Sequence, residues 1–300
     1  MTIFLIIDDS PDDRELIART IKKTASFGNA EVREVEHVAQ GRRELEGGGI
    51  DCLLLDFSMP GESGLEFLVD IQLRFPELPV VMITGEGNER TAVDALKSGA
   101  LDYIVKADVM PDSLERAISN AMEKKQQELE IIRHANFDEL TGLPNRRALF
   151  NRLQYLEGRA ARGIPPYAIV FMDLDGLKQV NDTMGHEIGD QLIQEVAAQL
   201  RLCVRDGDLV ARIGGDEFVA ILENLDGDGI KDSEIATDRF RRSIDEHVFD
   251  FDGRIVDAGM SVGYAVFPTS SQNRSDLLTI ADKAMYADKQ SRKEATKKVS

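Results

Sequence analysis

Residues 212–218 read Arg-Ile-Gly-Gly-Asp-Glu-Phe and lie between two alternating apolar runs, Leu209-Val210-Ala211-Arg212-Ile213 and Phe218-Val219-Ala220-Ile221-Leu222. The pattern predicts a β-hairpin whose turn uses the positive φ angles that glycine tolerates. Asp216 and Glu217 then stand at its tip and point to opposite faces. Upstream, the apolar run Ala168 to Met172 ends in Asp173-Leu174-Asp175-Gly176, followed by Leu177-Lys178-Gln179-Val180-Asn181-Asp182. Two acidic strand ends can thus converge on a hard divalent cation, Mg²⁺ or Mn²⁺, which favours carboxylate and carbonyl oxygens and is completed by substrate phosphates. Taken singly, the same residues suit plainer duties: solvated acids on a Gly-Gly turn, or Asp173 and Asp175 as helix cap and turn former.

Gly214, Gly215, Asp216, Glu217 and Phe218 reproduce the signature pentapeptide of the GGDEF diguanylate cyclases, which the second half of the chain resembles. The resemblance implies condensation of two GTP into cyclic di-GMP and two pyrophosphates. It also implies that Asp173, the Leu174 carbonyl and Asp216 hold the metal, and that Glu217 has a base-like or second-metal role. Asn181 and Asp190 match the family's guanine contacts. The chemistry of Asp190 agrees, because a carboxylate only accepts hydrogen bonds and so fits the N1–H and N2–H₂ donors of guanine, not the N1 lone pair of adenine. Lys178 and Lys289 match phosphate contacts. Where the family usually has Gly-Arg-Asn, this chain reads Arg292-Lys293-Glu294, so Lys293 stands at the arginine position. Lysine keeps the charge and loses the bidentate fork, so weaker grip on the triphosphate is expected, with Arg292 able to substitute by a small shift. Arg205-Asp206-Gly207-Asp208 has the Arg-x-x-Asp spacing of the family's allosteric product site, through Arg205 and Asp208; without the pentapeptide it would be a turn with a surface ion pair. Asp138-Glu139-Leu140-Thr141-Gly142-Leu143-Pro144-Asn145-Arg146-Arg147 matches the opening of the domain and Ala281-Asp282-Lys283-Ala284-Met285-Tyr286 its last helix.

In the first half every apolar run ends in a polar group. Ile3 to Ile7 meets Asp8-Asp9, Cys52 to Leu55 meets Asp56, Pro79 to Ile83 meets Thr84, and Leu101 to Val105 meets Lys106. Continuous apolar strands alternating with helical segments indicate a parallel sheet covered on both faces, with its site beyond the strand carboxyl ends. This half resembles the receiver domain of two-component response regulators. The resemblance makes Asp56 the phosphoacceptor, Asp8 and Asp9 its Mg²⁺ acids and Ser58 the residue lending a backbone carbonyl. Thr84, Lys106 and Tyr103 are then the switch residues. Three clustered carboxylates need a cation, and an aspartyl phosphate adds charge that Mg²⁺ and Lys106 would neutralise. Two departures are visible: Ala107 replaces a proline and Gly85 an alanine.

Pro111 to Asn136 has no internal proline or glycine and reads as one long helix. Leu114, Ile118, Ala121, Lys125, Glu128 or Leu129, and Ile132 approach a coiled-coil seam that Lys125 interrupts. Packing on the receiver competes with a dimeric stalk for the part before Glu123, and beyond it a dimeric stalk is expected. The expected organisation is therefore an α/β chain. A doubly wound parallel (βα)5 receiver occupies 1–122, a helical linker 111–136, and an α+β, nucleotidyl-cyclase-like domain with a mixed central sheet 137–297.

Three hundred residues suffice for two cores. A formal charge of −18, from 54 acids against 36 bases, argues against nucleic-acid polymers and anionic membranes as partners. Cys52 and Cys203 fall in different domains, so reduced thiols are expected. With no leader or membrane-spanning run, a cytoplasmic location is expected. The expected partners are GTP, cyclic di-GMP, a cognate sensor histidine kinase and a second copy of the chain. Rival readings are a degenerate cyclic di-GMP binder and a dimerising scaffold.

Overall fold

The computed structural model describes residues 1–85, 89–160 and 165–299. The chain divides into two compact units, Met1–Ile131 and Ile132–Ser300.

In the first unit five strands, β1 (Ile3–Ile7), β2 (Glu31–Val35), β3 (Cys52–Asp56), β4 (Val80–Thr84) and β5 (Asp102–Val105), form a parallel sheet of order β2-β1-β3-β4-β5. Helices α1 (Pro11–Ile21), α2 (Val38–Glu46), α3 (Gly64–Arg74), α4 (Glu89–Lys97) and α5 (Pro111–Asn136) alternate with them. Because side chains alternate across a strand, an unbroken apolar strand feeds two cores at once. Phe4, Ile6, Cys52 and Leu54 pack with Ile17 and Ile21 of α1 and Leu114 and Ile118 of α5. Leu5, Ile7, Leu53 and Leu55 pack with Leu45 of α2 and Phe67 and Ile71 of α3. Complete burial pushes the Cys52 thiol up to about 12.

Lys125 does not behave as a polar break in a coiled coil. It is buried, and its Nζ donates to the Pro76 carbonyl at 3.1 Å and to Glu128 at 2.7 Å. The face of α5 carrying Leu114, Ala117, Ile118, Ala121 and Lys125 is therefore buried, so receiver packing extends past Glu123. Beyond it Ile131 and Ile132 are exposed.

The second unit contains α6 (Arg146–Ala160), β6 (Tyr167–Asp175), α7 (Leu177–Met184), α8 (His186–Leu202), β7 (Leu209–Gly214), β8 (Glu217–Leu222), α9 (Ile230–Asp245), a small hairpin β9 (Phe249–Phe251) and β10 (Arg254–Val256), β11 (Gly259–Phe267) and α10 (Arg274–Val299). Its main sheet has the order β11-β6-β8-β7. The helical crossovers expected of a mixed sheet are present: β6 and β7 run the same way, as do β8 and β11. Each such pair is split by an inserted strand, so every hydrogen-bonded neighbour is antiparallel. One face packs Val170, Met172 and Phe218 against α8 and α9. The other packs Ile169, Phe171 and Val219 against α6 and α10.

Candidate functional site

In the first unit the strand carboxyl ends gather the polar groups. Asp8, Asp56 and Thr84 are all buried, and ligand oxygens of Asp8, Asp9 and Asp56 lie within 4.8 Å of one another. Lys106 Nζ stands 2.8 Å from Asp8, 2.7 Å from Asp13 and 3.0 Å from Asp56. Asp13, in the first turn of α1, takes a well-directed hydrogen bond from Lys106. Asp8 Oδ2 and Asp56 Oδ1 are held by charge without one. Those two buried oxygens are what a hard divalent cation would take, so the donor set fits Mg²⁺. The backbone N–H of Ser58 donates to Asp56 at 3.1 Å. Burial raises the Asp56 carboxyl above its ordinary range, with the Asp8 charge adding to it and Lys106 opposing. Tyr103 on β5 is exposed. Sequence reasoning passed over Asp13, although an acid in a helix's first turn near the sheet's carboxyl edge was a usable signal.

In the second unit the hairpin forms as the Gly-Gly turn demands. Gly214 pairs with Glu217, Gly215 takes a φ of +53°, and Asp216 sits at the tip. Leu174 N–H donates to the Asp216 carbonyl at 3.0 Å, which fastens the end of β6 to that tip. Asp173 stands opposite Glu217 in the β6–β8 ladder and Lys289 of α10 pairs with it. Burial raises the Asp173 carboxyl, with Asp216 and Asp175 adding repulsion and Lys289 opposing. Glu217 is raised by burial and then by Asp173, Asp216 and Asp282. Carboxylate and carbonyl oxygens are the donors a hard divalent cation takes, and Asp173, the Leu174 carbonyl and Asp216 supply that donor chemistry here, although among the described residues only Asp8, Asp9 and Asp56 form a cluster of three acids close enough to share an ion.

Asp216 and Glu217 open onto different hollows. Asp216 lines a cleft of about 720 Å³ together with Leu174, Lys178, Lys289, Arg292 and Lys293, which unites all three expected phosphate-binding lysines. Glu217 lines a smaller hollow of about 310 Å³ with Arg146, Phe171 and Asp282. Arg292 is already engaged by Asp245 and Asp175, so its expected small shift would first have to break those pairs. Asn181 and Asp190 are not among the residues lining the cleft. Asn181 lies one turn beyond Lys178, packed against Gly189, where a Cβ would collide with Asn181 Oδ1. That oxygen is buried and without a hydrogen-bond partner. Asp190 is exposed.

The hairpin is braced by residues that sequence reasoning missed in this role. Arg212 Nη1 donates to Asp138 at 2.9 Å, and its Nε and Nη2 donate to the Gly215 carbonyl at 3.1 and 2.9 Å. Asp138 also accepts from Thr141, so the domain's opening segment is clasped to the turn. Burial alone would raise Asp138, but the Thr141 and Arg212 hydrogen bonds outweigh it and hold the carboxyl low. Away from this site, Asp208 accepts from the Glu223 and Arg205 backbones, at 3.0 and 3.3 Å, while the Arg205 side chain is largely exposed. Both line a hollow of about 410 Å³ with Arg239.

Comparison with known proteins agrees with this geometry. The family described as "Diguanylate cyclase, GGDEF domain" matches residues 135–295, and the response regulator receiver domain matches residues 4–119. The chain is similar to the response regulator PleD of Caulobacter vibrioides, 28% identical over 97% of this chain and 64% of PleD. It is also similar to the bifunctional diguanylate cyclase/cyclic di-GMP phosphodiesterase MucR of Pseudomonas aeruginosa, 40% identical over 52% of this chain and 22% of MucR. It thus spans less than two thirds of the length of either curated relative. Among solved structures, the coiled coil and GGDEF domain of DgcB from Caulobacter crescentus, in complex with c-di-GMP, is similar with a TM-score of 0.53 and 25% identity, over 60% of this chain and 94% of that one. The chain belongs to the GGDEF diguanylate cyclase family and is a response regulator in which a receiver domain precedes the GGDEF domain.

Proposed function

We propose that the chain is a phosphorylation-regulated diguanylate cyclase that condenses two GTP into cyclic di-GMP and two pyrophosphates. The observation that carries this reading is the meeting of Asp173, Glu217 and Lys289 beside the Gly-Gly turn, next to a cleft lined by Lys178 and Lys293. Asp173, the Leu174 carbonyl and Asp216 are the groups that hold Mg²⁺ or Mn²⁺, and the ion, when bound, supplies Lewis-acid stabilisation at the α-phosphate. Lys178, Lys289 and Lys293 hold the remaining phosphates. Glu217, raised above its ordinary range, accepts the proton of the attacking 3′-hydroxyl. Asn181 and Asp190 hold the guanine. Each domain presents one GTP, so a cyclic product with two new phosphodiester bonds requires two chains face to face.

A sensor histidine kinase is the source of the phosphoryl group on Asp56. Asp8, Asp9 and the Ser58 carbonyl would hold a cation whose charge, with that of Lys106, would offset the phosphoryl group, and Thr84 and Tyr103 would respond. Helix α5 is the covalent route to the second domain. Cyclic di-GMP feeds back at Arg205 and Asp208. The receiver is assigned to 1–122, the linker to 111–136 and the cyclase domain to 137–297, in a cytoplasmic protein where GTP is at hand. Purified chain given GTP and Mg²⁺ should release pyrophosphate and form cyclic di-GMP, with ATP turned over far more slowly. The engagement of Arg292 and the lysine at position 293 favour one competing reading, a degenerate domain that binds cyclic di-GMP; binding without pyrophosphate release would select it.

A further inference from the structure

Arg292 occupies a position where the family pattern usually has glycine, so its role belongs to this chain. Its guanidinium grips both oxygens of Asp245, Nη1 at 2.8 Å and Nη2 at 2.9 Å, and its Nε lies 3.4 Å from Asp175 Oδ2. Asp245 is the last residue of α9 and Asp175 the last of β6, two positions beyond Asp173. Both carboxylates are tied onward to β11: Met260 N–H donates to Asp245 at 3.0 Å and the Ser261 hydroxyl to Asp175 at 2.6 Å. β11 can pass this close because residue 259 is glycine, where a Cβ would lie 2.5 Å from Arg292 Nη2. One side chain from α10 therefore fastens the ends of α9 and β6 and the start of β11.

The electrostatic consequence falls on the cleft beside Asp216. Its lining carries as many cationic side chains as carboxylates only when Arg292 is counted. Without the guanidinium, Asp175 and Asp245 would face an incoming polyanion uncompensated. A guanidinium that left them to grip phosphate would break a bidentate pair and turn two bare acids toward the same phosphates, so the exchange would gain little.

We propose that Arg292 is a positioning residue for the nucleotide triphosphate: it stays on Asp245 and Asp175, cancels their charge at the phosphate end, and steadies the strand end that carries Asp173. This rests on the nucleotide reading of the cleft. Direct phosphate contact falls to Lys178, Lys289 and Lys293.

The test is calorimetric binding of a non-hydrolysable GTP analogue with Mg²⁺ to the full chain, which does not depend on turnover. Arg292→Ala should bind about tenfold more weakly through the uncompensated acids. Arg292→Lys should fall between, having the charge without the fork. The double variant Arg292→Ala with Asp245→Asn should recover most of the affinity, because the offending acid is gone. Wild-type affinity in Arg292→Ala, or no recovery in the double variant, would overturn the proposal, the second by marking Arg292 as a phosphate ligand. If Arg292→Ala lacks a cooperative melt, Arg292→Gln is compared with and without Asp245→Asn: recovered affinity in the pair supports the charge cancellation, and no recovery overturns it. Failure of the wild type to bind the analogue overturns the nucleotide reading and this inference together; a bound wild type with the wrong variant pattern overturns only the inference.

Discussion

Asp173 of β6 and Glu217 of β8 stand directly across the ladder from one another, two acids on one face at the end of the two central strands of the sheet. Directly opposed like charges oppose folding, and here burial and the neighbouring carboxylates raise both above their ordinary range. Glu217→Gln should therefore separate chemistry from stability. Turnover is expected to fall on the order of 100-fold, the scale of losing a proton acceptor. The thermal midpoint near neutral pH should hold or rise, because a charge surrounded by Asp173, Asp216 and Asp282 is gone. Steady-state kinetics and calorimetry on the same sample check both.

Gly189→Ala probes base recognition without touching the phosphates. The added methyl collides with the amide oxygen of Asn181, the free end of a flexible side chain, so the fold survives and the amide moves. KM for GTP should rise by about tenfold, near 1.4 kcal/mol, with kcat little changed. An unaltered KM would remove Asn181 from the guanine site.

The Asp138–Arg212 clasp has a pH signature. Asp138 is held below its ordinary value of 3.8, so it binds fewer protons folded than unfolded as pH falls through that region. Its stabilisation is complete above 3.8 and is lost as pH drops from there toward the lowered folded value. Urea midpoints measured across this window should fall for the wild type and fall less for Asp138→Asn.

Lys125→Met keeps the apolar stem and deletes the donor to Pro76 and Glu128. A loss of about 1 kcal/mol is expected, typical of one net hydrogen bond. Hydrogen exchange should quicken in α5 before Ile131. Exchange identical to wild type would mean that this contact does not hold the helix.

Asp56→Asn removes the proposed phosphoacceptor while keeping its shape. Stimulation of turnover by a small-molecule phosphodonor should vanish and basal turnover should remain. Retained stimulation would reject control through Asp56.

Local patterns were legible where one short segment carries the whole signal. The unbroken apolar strands Phe4 to Ile7 and Leu53 to Leu55 announced a sheet with two covered faces, and Gly214-Gly215 announced the hairpin. The hairpin of Phe249–Phe251 and Arg254–Val256 was overlooked, although Asp252-Gly253, both at positive φ, is a strong turn signal. What could not be read were pairings between distant segments. Lys125 looks like a break in a heptad until the Pro76 carbonyl is beside it, and Arg292 looks like a spare phosphate ligand until Asp245 holds it. Charged side chains are long and reach in many directions, so sequence spacing alone does not choose their partners.

The most direct test of the central claim is product stoichiometry. Purified protein supplied with GTP and Mg²⁺ should form cyclic di-GMP with two pyrophosphates for each molecule made, and Asp216→Asn, at the hairpin tip, should form neither. Cyclic di-GMP bound without pyrophosphate released, or turnover undiminished in Asp216→Asn, would contradict it.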